Sequence, residues 1–266
     1  MYTSFNHQIN GLSFLRKSSG IAGSTGVGSI SGVGSDVKSF TANDKVLVSS
    51  TGVWADSVTV SAASVLKIPQ NLSVEEAAVL PAALSAYAIL NNFVSLKAGD
   101  VVVQYGGDSA VGVAITQIGV ASGVKVVNAT QEQIDDSSFA KTVAGMGSVK
   151  LTISNSAKKS VSKTLMRCLS NSGSLVLYQG DGLNDDCDGI DVPVGSAIFK
   201  ANSIFGFSFD SWMASDPQGV EKALSAIIPH LESKKLTLKS KVFPQSEYLK
   251  ALAEIENTGS SVVLKL

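Results

Sequence analysis

The stretch from Ala98 to Ala129, AGDVVVQYGGDSAVGVAITQIGVASGVKVVNA, constrains the fold more than any other part of the chain. It opens on a Gly99-Asp100 turn and runs through Val101-Val102-Val103. A tight small-residue turn follows, then an apolar helical pattern that Gly123 stops before Val124 to Val127. Strand, glycine-rich turn, helix and strand in this order form the first βαβ unit of a dinucleotide-type parallel sheet. The turn Tyr105-Gly106-Gly107-Asp108-Ser109-Ala110-Val111-Gly112 departs from the plain G-x-G-x-x-G pattern. A diphosphate reaches such a backbone only where side chains stay clear and the helix N-terminus faces it. Gly106, Gly107, Ser109, Val111 and Gly112 are therefore the candidate cofactor contacts. A crossover that binds nothing uses the same pattern for packing alone.

Upstream the pattern is β-like. Gly20, Gly23, Gly26, Gly28, Gly32 and Gly34 alternate with Val27, Ile30, Val33 and Val37, which suits a curved strand. No helical segment follows, so these glycines do not make a phosphate loop. Val46-Leu47-Val48 and Val58-Thr59-Val60 read as further strands, with Trp54 at a strand corner. Ser73 and Glu76 form a capping box that opens a helix, and a second helical pattern spans Ala83 to Phe93.

Downstream, Thr130 to Gly147 supplies one weak helix before the alternation of Val149, Leu151 and Ile153. A full doubly wound sheet inserts a strand and another helix there, so the sheet is expected to be trimmed. An amphipathic helix over 157–170 turns Val161, Leu165, Met166 and Leu169 inward, and a strand follows from Ser174 to Tyr178. Ile198-Phe199 through Phe209 reads as an apolar strand region. Val220–Leu231 reads as a helix, Leu236–Val242 as a strand, Tyr248–Ile255 as a helix and Val262–Leu264 as a strand.

The length of 266 residues implies two lobes, and 44% hydrophobic with 16% charged residues supports a sizeable core. A net charge of −1 gives no footprint for nucleic acid or an anionic membrane, and no apolar run is long enough to span a bilayer. Cys168, Cys187, His7 and His230 are too few and scattered for tetrahedral zinc, so no metal is expected. Asn184-x-Asp186-x-Asp188-Gly189 overlaps the start of a calcium loop. Gly195 stands where the bidentate Glu belongs, so a solvated acidic loop is the reading. The N-terminal region before Asp36 lacks Asp and Glu, but its only basic residues are Arg16 and Lys17, and no cleaved transit peptide is expected.

Several landmarks recur in a fixed order: Gly34-Ser35-Asp36-Val37, Asp44-Lys45-Val46, Ser85-Ala86-Tyr87, Val102-Val103-Gln104, Ser109-Ala110-Val111-Gly112, Ile198-Phe199-Lys200, Gly206-Phe207 with Trp212, and Val262-Val263-Leu264. In order and spacing they resemble the zinc-free medium-chain dehydrogenase/reductases, most of all the mitochondrial 2-enoyl thioester reductases beside the quinone oxidoreductases. The resemblance implies an α/β fold, with a Rossmann-type doubly wound sheet and a β-rich GroES-like lobe. The GroES-like lobe takes 1–82 with a return over 237–266, and the Rossmann-like lobe takes 83–236. It also implies NADPH, an enoyl thioester carried by CoA or acyl carrier protein, and a mitochondrial location. On this resemblance Gly180 and Phe207 join the candidate cofactor contacts.

The chain departs from that family where its chemistry sits. The tyrosine that donates a proton follows a segment matched here by Ile9-Asn10, and its place falls near Arg16, with no Tyr between Tyr2 and Tyr87. Arginine stays protonated at neutral pH and a lone His7 is more often incidental, so no catalytic residue is assigned. The basic residue for a 2′-phosphate is matched by Thr130 or Gln131, and the lysine of the closing strand by Ser261. Losing two charge-assisted contacts at about 1.5–3 kcal/mol each weakens a nucleotide by tens-fold or more. Ala110 replaces a usual glycine, Ser208 a usual Trp, and the GroES-like lobe starts late.

Three functions follow as expectations. The first is a non-catalytic structural or regulatory subunit, with a partner or oligomer covering an edge of the first lobe. The second is an active NAD(P)H-dependent reductase of enoyl thioesters, enals or quinones. The third is a module that binds an acyl carrier protein or an acyl thioester in the inherited cleft without reducing it, with Lys158, Lys159 and Lys163 meeting an acidic carrier.

Overall fold

Apolar runs bounded by turn residues become strands, and capped 3.6-residue patterns become helices. The computed structural model describes residues 2–5, 23–156, 158–178, 189–238, 240–258 and 261–265. The chain packs as two compact units, Met1–Ala82 together with Phe209–Leu266, and Ala83–Ser208. In chain order, β1 (Tyr2–Phe5), β2 (Thr25–Ser29), β3 (Lys45–Ser49) and β4 (Val65–Lys67) precede α1 (Val74–Ala78) and α2 (Leu80–Asn92). Then come β5 (Val101–Tyr105), α3 (Ala110–Ala121), β6 (Lys125–Ala129), α4 (Gln131–Asp135), α5 (Phe139–Ala144) and β7 (Val149–Ser154). They are followed by α6 (Lys159–Cys168), β8 (Ser174–Tyr178), α7 (Val194–Phe199) and β9 (Ser203–Phe207). The chain continues through α8 (Phe209–Ser215), α9 (Pro217–Glu232), β10 (Ser240–Pro244), α10 (Tyr248–Thr258) and β11 (Ser261–Lys265).

The first unit is built on a six-stranded sheet in the order β10-β11-β1-β2-β3-β4, antiparallel except for the β10–β11 pair. Of the glycine-dense segment, Thr25–Ser29 becomes a strand, β2, whose Val27 is buried, while Gly32 and Gly34 lie beyond it in a loop and Gly20 lies outside the described residues. Gly23 just before it has φ +98°, and a Cβ there would fall 1.9 Å from the Trp54 ring. That ring meets Tyr248 edge-on at 6.1 Å. Val58-Thr59-Val60 is not a strand; Val60 instead packs against a cluster of Val46, Val48 and Val53. The capping box of α1 forms as read: Ser73 Oγ accepts from Glu76 N at 3.1 Å, and the Glu76 carboxylate accepts from Ser73 N at 2.8 Å.

The second unit carries a five-stranded sheet in the order β6-β5-β7-β8-β9, parallel throughout. Residues 130–148 hold the short helices α4 and α5 and no strand, so β6 is an edge and the sheet is trimmed. The consequence is a 2-1-3-4-5 winding rather than the six-stranded 3-2-1-4-5-6. Val101, Val149 and Leu175 from three neighbouring strands are buried with Val161, Leu165 and Met166 of α6. Ile198 and Phe199 close the helix α7 rather than lying in a strand, because Pro193 sets a helix start ahead of them.

Candidate functional site

In a doubly wound sheet the ligand crevice lies at the carboxyl ends of the strands where the winding reverses, here between β5 and β7. The turn that leaves β5 occupies that place. Gly106 adopts φ +90°, which a side chain makes costly, and its missing Cβ leaves room for the Asn155 amide: a Cβ would stand 2.1 Å from Asn155 Oδ1. A Cβ on Gly107 would meet Asn128 Cγ at 2.7 Å, and one on Gly112 would meet Gly106 O at 2.4 Å. Two asparagines and the backbone of the turn itself, at Gly106 and Gly107, thus occupy the space that the three glycines leave. Close helix-to-strand packing accounts for these glycines without a ligand.

Beneath the turn, buried Gln104 ties three elements together. Its Nε2 lies 2.9 Å from Gly112 O, 2.9 Å from Thr116 Oγ1 and 2.7 Å from Asn128 Oδ1. Its Oε1 is buried with no partner among the described residues. Such an orphan costs about 1–3 kcal/mol, which marks the amide as fixed by its donor contacts.

Ser109 is the N-cap of α3. Its hydroxyl donates to Gly106 O at 2.8 Å and accepts from Gly112 N at 3.1 Å. The Tyr178 hydroxyl, at the end of β8, lies 2.9 Å away and donates to the same oxygen, because Ser109 has one proton and Gly106 O can only accept. The Ser109 side chain therefore has no proton left for a phosphate oxygen. Burial pushes the Tyr178 hydroxyl up to about 12; the Ser109 bond opposes this and the nearby Asp108 charge adds to it. Tyr178 ionises near 10 in an unfolded chain, so its contribution is complete below pH 10.0 and is lost as pH rises through about 12. Unfolding free energy should drop by roughly 2–3 kcal/mol over that window. Tyr178→Phe should flatten the drop, and urea midpoints at both ends of the window check this. Equal slopes for the two proteins would refute the assignment.

The end of β6 leads into α4, where Thr130 and Gln133 cap each other: Gln133 N donates to Thr130 Oγ1 at 3.3 Å, and Thr130 N to Gln133 Oε1 at 3.0 Å. Gln131 Oε1 accepts from the Tyr105 hydroxyl at 2.9 Å. Lys158, just before α6, brings its Nζ to 3.5 Å from the same oxygen. A cation thus stands where the sequence shows none. Lys163 pairs with Asp191 at 3.0 Å, so of the three lysines on this segment two already face groups of the chain.

Of the candidate contacts, Gly106, Gly107, Ser109, Val111 and Gly112 come together at the turn, Val111 half-buried in the first turn of α3. Phe207 ends β9, three strands along the sheet from β5, with its ring on Phe93 at 6.3 Å. Gly180, the 184–188 acidic loop, and His7, Ile9, Asn10 and Arg16 lie outside the described residues. Local sequence gives no sign of Tyr178 or Asn155 at this site, and it offers Lys158 as a contact for an acyl carrier rather than as a neighbour of Gln131. The first two follow parallel strands at their carboxyl ends, which was the available signal. Cys168 is a buried thiol that burial pushes up to about 11, inert as a nucleophile. Among the described residues no group of three His, Cys, Asp or Glu stands together, and no helix is long and apolar enough to cross a membrane.

No family model matches the chain. It is 28% identical over 277 residues to the mitochondrial enoyl-[acyl-carrier-protein] reductase of Dictyostelium discoideum, covering 90% of this chain and 75% of that one. It spans 61% and 60% of the length of the proteins of the same name from Xenopus tropicalis and Caenorhabditis elegans, at 25% and 30% identity over 72% of this chain. Among solved structures, a mutant enoyl thioester reductase from Candida tropicalis superposes with a TM-score of 0.75 at 22% identity, covering 93% of this chain and 80% of that one. An Etr1p mutant in complex with NADP and crotonyl-CoA gives 0.72 at 21%, and the Etr1p/Etr2p heterodimer from Candida tropicalis 0.71 at 20%; each covers 93% of this chain and 80% of its own. These likenesses establish a Rossmann-type sheet with a GroES-like β-rich lobe. In sequence the chain is similar to the mitochondrial enoyl thioester reductases, and its fold is that of the medium-chain dehydrogenase/reductases.

Proposed function

We propose that the chain keeps the enoyl thioester reductase scaffold but grips a pyridine nucleotide weakly, and serves as a non-catalytic structural or regulatory subunit of a mitochondrial assembly. The observation that carries this reading is the state of the β5 turn. Its glycine spaces are taken by Asn155 and Asn128, and the Ser109 hydroxyl is engaged. The exposed charge beside the helix N-terminus is the carboxylate of Asp108. A carboxylate there complements the helix dipole that an anionic ligand needs. The backbone of Gly106 to Gly112 would be what holds a diphosphate at this helix start, yet no cation faces it from the turn, so no step of hydride transfer is derived. Mitochondrial location follows the relatives.

A second reading has one observation in its favour. Lys158 beside Gln131 supplies a positive charge near the end of β6, where a 2′-phosphate would lie in an NADPH complex. On that reading Gly106, Gly107, Ser109, Val111 and Gly112 hold the diphosphate of NADPH, and the chain reduces enoyl thioesters, enals or quinones. Calorimetric titration of the purified chain with NADPH separates the two. The first reading expects a Kd weaker than about 100 μM and no NADPH oxidation with crotonyl-CoA. A low-micromolar Kd with turnover would establish the second in its place.

A further inference from the structure

Between Asp136 and Asp181 the chain contains no acidic residue but six cations: Lys141, Lys150, Lys158, Lys159, Lys163 and Arg167. The net charge of the whole chain is −1, so the rest of it carries −7. Segregation of this kind in a nearly neutral chain sets up a local positive field. The fold concentrates that field on α6. Val161, Leu165 and Met166 face the core, and on the opposite side Lys159, Lys163 and Arg167 follow one another at i, i+4 and i+8. Lys159 and Arg167 are exposed, and the Lys163 side chain is 44% exposed. Lys200 adds a fourth cation at the C-terminal end of the row, its ammonium 3.3 Å from Arg167 O and 2.7 Å from Leu169 O.

Local stability gives no reason for this row. Like charges four residues apart on a helix repel, and that happens twice, at Lys159–Lys163 and at Lys163–Arg167. Lys159 in the first turn also opposes the helix dipole, with no acid in that turn and no side chain capping it. A helix face that is merely solvated mixes the two signs. Among the described residues the carboxylate that answers the row is Asp191, 3.0 Å from Lys163, and Lys159 and Arg167 are left without an ion pair. The neighbouring α4 does not supply one: its Asp135 accepts from Gln131 Nε2 instead. Sequences that break local rules in this way do so where something outside the helix is recognised.

We propose that the outer face of α6 is a docking surface for an acidic helix of a protein partner, held by Lys159, Lys163 and Arg167. The row is a short line, its cations about 6 Å apart along the axis and about 12 Å from first to last. Carboxylates at the same spacing on a partner helix meet all three, which fixes both register and direction. A nucleic acid or an anionic membrane extends past the ends of such a line, onto a chain whose other residues sum to a negative charge and repel it. Ser160 and Thr164 stand beside the cations, so the face also lacks the apolar side chains that insert into lipid. None of the three residues belongs to the β5 turn or to the Gln131 corner, and the proposal stands whether or not the chain binds a nucleotide.

Fluorescence anisotropy of the full chain with two labelled helical peptides of one composition tests it. One peptide carries Glu at every fourth position, and the other has its Glu residues spread around the helix. The first should bind with a Kd below about 100 μM at low ionic strength and weaken steadily as salt is added. The second should bind at least about 10-fold more weakly. Lys159→Glu combined with Arg167→Gln should weaken the first peptide by at least about 10-fold. Lys159→Glu alone replaces two local repulsions with attractions, so its unfolding midpoint should rise, which separates lost docking from lost folding. Lys235→Glu, exposed in the first unit, should leave peptide binding unchanged. Equal binding of the two peptides would overturn the proposal, as would full retention of the first by the double variant. So would tighter binding to duplex DNA, or to vesicles of phosphatidylcholine with phosphatidylglycerol, than to the first peptide.

Discussion

Gly112→Ala should lower the unfolding free energy by about 3–4 kcal/mol, near the top of what a single added methyl group does. On helix propensity alone the sign should be opposite, since alanine is favoured over glycine inside a helix by about 1 kcal/mol. Steric contact decides it. The added Cβ would lie 2.4 Å from Gly106 O and 2.6 Å from Gly107 Cα, both backbone atoms. Relief therefore requires moving the whole turn. The turn is pinned by the Ser109 hydroxyl on one side and by Asn128 and Asn155 on the other. Gly195→Ala in α7, where the new methyl sits 3.7 Å from Phe199, should instead be neutral or mildly stabilising. Denaturant unfolding of both variants checks the pair. A Gly112→Ala loss below about 1 kcal/mol would mean that α3 slides freely on β5, and the tight-turn account of this site would be lost.

The glycine turn and α7 also show which parts of this structure the sequence exposes. Gly112 is legible because a helix that starts so close to its strand leaves no room for a side chain. The buried runs of β5 and β8 are legible because strands covered on both faces are apolar throughout. The trimming of the sheet shows as a length: too few residues separate Asn128 from Val149 for the missing strand. Short exposed elements are not legible. Ile198 and Phe199 read as strand because hydrophobicity ordinarily goes with burial, but both face solvent at the end of α7. Val58 to Val60 alternates like a strand while its neighbours offer no ladder to join.

Site residues are legible only where local sequence builds them. Tyr178 reaches Ser109 across 69 residues and Lys158 reaches Gln131 across 27, so neither is visible in any window around the glycine turn. Matching one position to one family residue finds no cation at Thr130 or Gln131. The fold brings one from the start of α6 to the same corner. Charge lost at one position and partly returned from another is a tertiary fact, and no local pattern reports it.

Gln131→Arg therefore gives the sharpest measure of how much grip this corner lacks. Gln131 does not cap α4; Thr130 and Gln133 do, so the substitution leaves the helix start intact. The guanidinium would stand beside Lys158 and the Tyr105 hydroxyl, and a bidentate hold on a phosphate monoester is worth about 1.5–3 kcal/mol. NADPH affinity should rise about 10- to 150-fold while NADH affinity stays put, since only the 2′-phosphate distinguishes them. Asp135 accepts from Gln131 Nε2 at 3.0 Å and would compete for the new cation. Gln131→Arg with Asp135→Asn should accordingly show the larger gain. Titration calorimetry with both nucleotides reads the result. If NADPH gains and NADH does not, the β5 turn still accepts a diphosphate and the deficit is electrostatic. If neither binds in either variant, the glycines of this turn serve packing alone, and the scaffold has lost its nucleotide at the turn itself.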